Sequence, residues 1–169
     1  MSQWKEQVAV ITGAGSGIGA ALAQQCAKQA MHIIAADVDK AGLAALEKTI
    51  QQQSLAASIS THHVGVRDEH AVEALAKTSF DQFSQVNLLF NNAVYQGTGN
   101  QEPVLDVTRD QLDAIYQGNV FTPLALVKTL LPGMLERGEG TVLNLVSYTA
   151  FHNPPAPASQ GGWGIAYPS

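Results

Sequence analysis

Between Thr12 and Gly19 the chain reads Thr-Gly-Ala-Gly-Ser-Gly-Ile-Gly. An apolar run at 8–11 precedes it, and small residues with helical spacing follow at 20–30. A strand that turns through glycines into a helix gathers several backbone N–H groups at one point. Glycine lets a pyrophosphate approach that backbone closely, and the positive end of the helix favours its charge. The next apolar run, 32–37, closes on Asp37, where a ribose-binding acid is expected. Thr12, Gly13, Gly15, Ser16, Gly17, Ile18, Gly19 and Asp37 are therefore candidate dinucleotide-binding residues. A carboxylate at Asp37 accepts from ribose hydroxyls and repels a 2′-phosphate, and neither Val38 nor Ser16 is basic. NAD is expected in preference to NADP.

The elements that must position this loop alternate along the chain. Strand patterns at 8–12, 32–37, 58–64, 86–91 and 140–147 are separated by helix patterns at 17–30, 40–53, 68–83 and 108–135. Asp39 is a candidate cap for the second helix, and Thr108 with Gln111 fits a capping box for the fourth. Such alternation predicts an α/β fold, a Rossmann-like doubly wound parallel sheet with helices on both faces. The whole chain, 1–169, reads as one domain.

Composition narrows the classes. Of 169 residues 46% are hydrophobic and only 14% charged, which suits a sheet covered on both faces. The net charge is −5 and the nine Lys and Arg are scattered, which argues against a nucleic-acid or anionic-membrane surface. No run approaches the ~18 apolar residues of a membrane span. Residues 1–7 are polar and lack a signal-peptide core. The single cysteine, Cys26, allows no intrachain disulfide, so a reducing, cytoplasmic setting is expected. His62, His63 and His70 have no Cys or acidic partner at ligand spacing, and no metal site is expected.

On these residues the sequence resembles a short-chain dehydrogenase/reductase. Thr12, Gly13, Gly17 and Gly19 match that family's Thr-Gly-x-x-x-Gly-x-Gly loop, and Asn91-Asn92-Ala93 its Asn-Asn-Ala-Gly. Asn119, Ser147 at the end of Leu143-Asn144-Leu145-Val146-Ser147, and Tyr167 resemble the catalytic asparagine, serine and tyrosine. The resemblance implies an NAD-dependent enzyme that interconverts an alcohol and a carbonyl by hydride transfer. It implies Tyr167 as the acid/base and Ser147 as hydrogen-bonded to the substrate oxygen. It adds Val66, Asn92, Ala93 and Tyr167 to the cofactor contacts, and a homo-oligomer for a full-length form. The family's asparagine holds a water on its main-chain carbonyl. Pro123, four residues on, has no N–H for the Asn119 carbonyl, which leaves that oxygen available in the same way.

The chain also departs from the pattern. Gly65 stands where an aspartate near the adenine is usual, Asn87 where the fourth strand often opens with Asp, and Val94 in place of Gly. Asp68 is expected to cap a helix rather than replace the missing acid. The lysine four positions after Tyr167 would fall beyond Ser169, so the sequence reads as the N-terminal part of a longer enzyme. The 169-residue form is expected to lack normal turnover. Phe151, the prolines at 154–157 and Trp163 form either an apolar wall over the substrate or a surface excursion. A non-catalytic nucleotide-binding or interaction module is the alternative reading.

Overall fold

The apolar runs at 8–11 and 33–36 alternate their side chains between two cores. The structure, a computed structural model, describes residues 3–53, 56–97, 102–153, 156–157 and 160. Strand β1 (Val8–Thr12) runs into α1 (Gly17–Lys28), β2 (His32–Asp37), α2 (Lys40–Gln53) and β3 (Ser58–His63). There follow α3 (Glu69–Phe83), β4 (Leu88–Asn91), α4 (Arg109–Tyr116), a π turn (Gln117–Phe121), α5 (Thr122–Arg137) and β5 (Thr141–Asn144). The sheet order is β3-β2-β1-β4-β5, with every neighbouring pair parallel. The chain steps outward from β1 to β3 and then returns across β1 to β4. That reversal opens a crevice at the carboxyl ends of β1 and β4.

Ala9, Ile11, Ile33 and Ala35 face one core, with Leu43 and Leu46 of α2 and Ala23 of α1. Val8, Val10, Ile34 and Ala36 face the other, with Leu75 of α3 and Leu126 and Leu130 of α5. This period of two, buried on both faces, is the doubly wound α/β fold that the alternating pattern predicts.

Local signals placed the helix starts well. Asp39 Oδ1 accepts from the Ala41 N–H at 3.0 Å, and Asp68 Oδ1 from Ala71 at 3.0 Å. Thr108 and Gln111 form a reciprocal capping box. Several expected spans are corrected: the helix expected at 17–30 ends at Lys28, with Ala30 at φ +60°, and the strand expected at 58–64 ends at His63. The strand expected at 140–147 stops at Asn144, because β4 offers no partner beyond Asn91, whose carbonyl takes the last bond from Leu145 N–H. The strand expected at 86–91 begins at Leu88, since Asn87 uses its side-chain Oδ1 to accept from the Val8 N–H at 2.9 Å. The single helix expected at 108–135 contains the π turn and extends to Arg137.

Cys26 packs in α1 against the first core, and burial pushes its thiol up to about 11. At pH 8 about one molecule in a thousand then carries the reactive thiolate. The native chain is expected to resist Ellman's reagent at that pH and to react fully in denaturant. Rapid native reaction would contradict this placement.

Candidate functional site

The β1–α1 turn is held by the residues on either side of the crevice. Asp37 Oδ2 accepts from the Gly15 N–H at 2.7 Å and Oδ1 from the Asp39 N–H at 2.9 Å. The carboxylate thus anchors the turn while lining the cleft. Across the crevice, Asn92 Nδ2 donates to the carbonyls of Thr12 (2.9 Å) and Gly13 (3.1 Å). Thr12 Oγ1 accepts from the N–H groups of Asn92 and Ala93, both at 3.1 Å, and donates to Phe90 O. Thr12 and Asn92 therefore bolt the glycine turn to the end of β4. Gly19 sits directly beneath: a Cβ there would lie 2.0 Å from the Gly13 carbonyl oxygen.

A cleft of about 520 Å³ opens over this turn, lined by Thr12, Gly13, Ser16, Gly17, Ile18, Asp37, Val66, Asn92 and Ala93. These are nine of the residues expected to bind cofactor. Gly15 and Gly19 support the turn instead, packed on Asp37 and Gly13. Two features fit a pyrophosphate. Gly17 has φ +52° and its missing Cβ would meet no protein atom within 4 Å, so the space is left for a ligand. The first turn of α1 carries no acidic residue, and the Ser16 side chain does not cap it. Its N-terminal dipole therefore faces the cleft with no acidic or capping side chain of its own helix against it. Apolar residues complete the cleft: Val38 and Val94, both marked in the sequence, and Val64, Val72 and Leu75, which were not. Val64 lies immediately beyond the end of β3, the one signal that could have found it.

Asn119 lies in the π turn. Its Oδ1 accepts from the Tyr95 N–H at 2.7 Å and its Nδ2 donates to the Tyr95 carbonyl at 3.0 Å. Pro123 withholds the amide that an α-helix would offer the Asn119 carbonyl, and the chain answers with a π turn rather than a simple kink. Tyr95 was overlooked in the sequence. Arg67 Nη1 donates to its hydroxyl at 3.0 Å, with the guanidinium carbon 4.8 Å from the ring centre. Thr122 Oγ1 donates to the Val66 carbonyl, so the β3–α3 loop, the segment after β4 and the π turn are tied together. Gly118 makes this possible: a Cβ there would lie 2.6 Å from the Tyr95 Cβ. Gly118→Ala gains up to ~1 kcal/mol of helix propensity but incurs ~1–3 kcal/mol of overpacking. A net fall in Tm of a few degrees is expected by calorimetry. A rise would contradict the contact.

Ser147 stands three residues past β5, beside both the cleft and a second cavity of about 480 Å³. The two share Ala93, Val94, Leu145, Val146 and Ser147, and Asn119 lines the second alone. Tyr167 lies outside the described residues, as does Trp163. Asn87 keeps the hydrogen bonding expected of it, also donating from Nδ2 to Glu139 at 3.3 Å. Val94, 52% exposed, projects where a glycine would leave space. Among the described residues no three His, Cys, Asp or Glu are grouped to hold a metal ion. No helix among them is long and apolar enough to cross a membrane.

The short chain dehydrogenase family matches residues 7–159. The chain belongs to this family. It is 29% identical over 152 residues to an uncharacterized oxidoreductase of Staphylococcus saprophyticus, covering 89% of this chain and 63% of that one. A short-chain dehydrogenase/reductase of Burkholderia phymatum, solved with NAD, superposes with TM-score 0.79 and 31% identity. It aligns with 94% of this chain, which spans 55% of it. The L-sorbose reductase of Gluconobacter frateurii, solved with NADPH and L-sorbose, gives TM-score 0.78 and 28% identity over 86% of this chain and 54% of its own. This short chain dehydrogenase sequence thus spans roughly half to two thirds of the relatives it matches.

Proposed function

We propose that this chain carries the cofactor half of an NAD-dependent oxidoreductase that interconverts an alcohol and a carbonyl. The observation that carries the reading is Asp37, which accepts from the Gly15 N–H of the glycine turn, is itself fixed by the Asp39 N–H, and lines the cleft above the turn. Family membership and relatives solved with NAD or NADPH support a nicotinamide cofactor; the carboxylate supports NAD. The α1 N-terminus and the Gly17 opening would hold the pyrophosphate, and Asp37 the adenosine ribose. When bound, the nicotinamide supplies the hydride acceptor or donor. Ser147 would hydrogen-bond the substrate oxygen, and Tyr167 would exchange the proton at that same oxygen as charge develops on it. Asn119, its side chain fixed by Tyr95, would hold a water on its main-chain carbonyl to relay that proton.

A full-length form is read as a homo-oligomer, and the setting as cytoplasmic. A non-catalytic nucleotide-binding module is favoured by one observation, the Val94 side chain standing between the two cavities. Calorimetric titration with NAD and NADP tests the reading. NAD binding in clear preference to NADP is expected; no binding to a folded chain overturns it.

A further inference from the structure

Past Asp37 the first cleft changes character. A dinucleotide with its pyrophosphate at the α1 N-terminus and its ribose on Asp37 must lay its base beyond the ends of β2 and β3. Val38, Val64 and Val66 line that end, together with the buried side chains of Val72 and Leu75. Val38 is 64% exposed, so a flat base gains by covering it. Among the described residues, Asp37 is the one charged side chain that lines the cleft.

Polar groups around this apolar surface are committed to one another. The Val38 carbonyl accepts from His63 Nε2 at 3.1 Å, and the Gly65 carbonyl from the Asp68 N–H at 2.9 Å. The Val66 carbonyl accepts from Thr122 Oγ1. Of the nearby charged side chains, Asp68 caps α3 and Arg67 donates to the Tyr95 hydroxyl. The exocyclic amine of adenine is a donor, and Gly65 offers it no side-chain acceptor. Neither space nor backbone demands glycine there. A Cβ would meet Val38 Cγ1 at 3.5 Å, an ordinary contact, and Gly65 is not at positive φ.

We propose that this cleft selects the ribose and not the base, and takes a hypoxanthine dinucleotide as readily as an adenine one. Hypoxanthine presents similar flat faces but carries a carbonyl oxygen in place of the amine and a proton on N1. An apolar bed covers both bases alike. A carboxylate beside Val38 would instead accept from the amine and repel the carbonyl oxygen. The proposal rests on the cofactor reading above.

Calorimetric titration of the chain with NAD and with nicotinamide hypoxanthine dinucleotide tests it. The two affinities are expected to agree within about threefold, since no charge-assisted bond separates the bases. Such a bond contributes about tenfold or more, so Gly65→Asp is expected to create a preference for NAD of about tenfold. NAD binding by the variant reports that it is folded. A preference for NAD above about threefold in the unaltered chain, or no new preference in a folded Gly65→Asp, overturns this proposal alone. Should Gly65→Asp unfold, the ratio measured on the unaltered chain decides by itself. Absence of NAD binding to the folded, unaltered chain overturns the cofactor reading and this proposal with it.

Discussion

Asp37→Ala is expected to lower NAD affinity by about two orders of magnitude in a chain that remains folded. A carboxylate accepting from two ribose hydroxyls makes two charge-assisted bonds, each worth roughly 1.5–3 kcal/mol. Partial exposure of Asp37 cuts that sum, and about 3 kcal/mol remains, or ~100-fold. The substitution also frees the N–H groups of Gly15 and Asp39, both of which can turn to water. The loss of stability should therefore be small beside the loss of binding. Asp37→Asn separates charge from geometry, since it keeps an acceptor for one amide and no longer repels a 2′-phosphate. It is expected to narrow the preference for NAD over NADP. Calorimetry on the three proteins measures all of this. NAD affinity unchanged in Asp37→Ala would remove the central support for the functional reading.

Gly19→Ala is the substitution expected to damage the fold most. A Cβ would lie 2.0 Å from the Gly13 carbonyl oxygen and 2.6 Å from Asn92 Nδ2, well inside van der Waals contact. Both neighbours are fixed, because Asn92 is already bonded to that carbonyl. Relief requires α1 to move away from β1 or the Asn92 clamp to break. Helix propensity returns at most ~1 kcal/mol, against an overlap costing ~3 kcal/mol or more. At about 2–4 °C per kcal/mol for a domain of this size, Tm should drop by at least ~4–8 °C. Gly17→Ala is the control. Its Cβ meets no protein atom, so it should cost only the strain of φ +52° while obstructing the cleft. Equal Tm values for the two variants would show that the turn is looser than its hydrogen bonds imply.

The sequence by itself determined the parts that depend on neighbours along the chain. Apolar runs placed β1 and β2 and, with the helix patterns between them, the parallel sheet. Short-range side-chain bonds placed the caps at Asp39, Asp68 and Thr108, because donor and acceptor lie two or three residues apart. Glycine spacing marked the turn, and Asp37 was legible because it closes a strand. Pro123 showed that a helical bond fails near Asn119, which is a local fact too. That the failure becomes a π turn clasping Tyr95 was not legible, since Tyr95 lies on another element and Gly118 must first leave room for it. Tertiary structure alone decided that Asn92 would clamp a turn some eighty positions away, and that β5 would end with β4. It also decided that a second cavity would adjoin the cleft at Ser147. Sequence patterns report which bonds a residue can make with its neighbours. Only packing brings distant segments close enough to select which of the remaining bonds and cavities form.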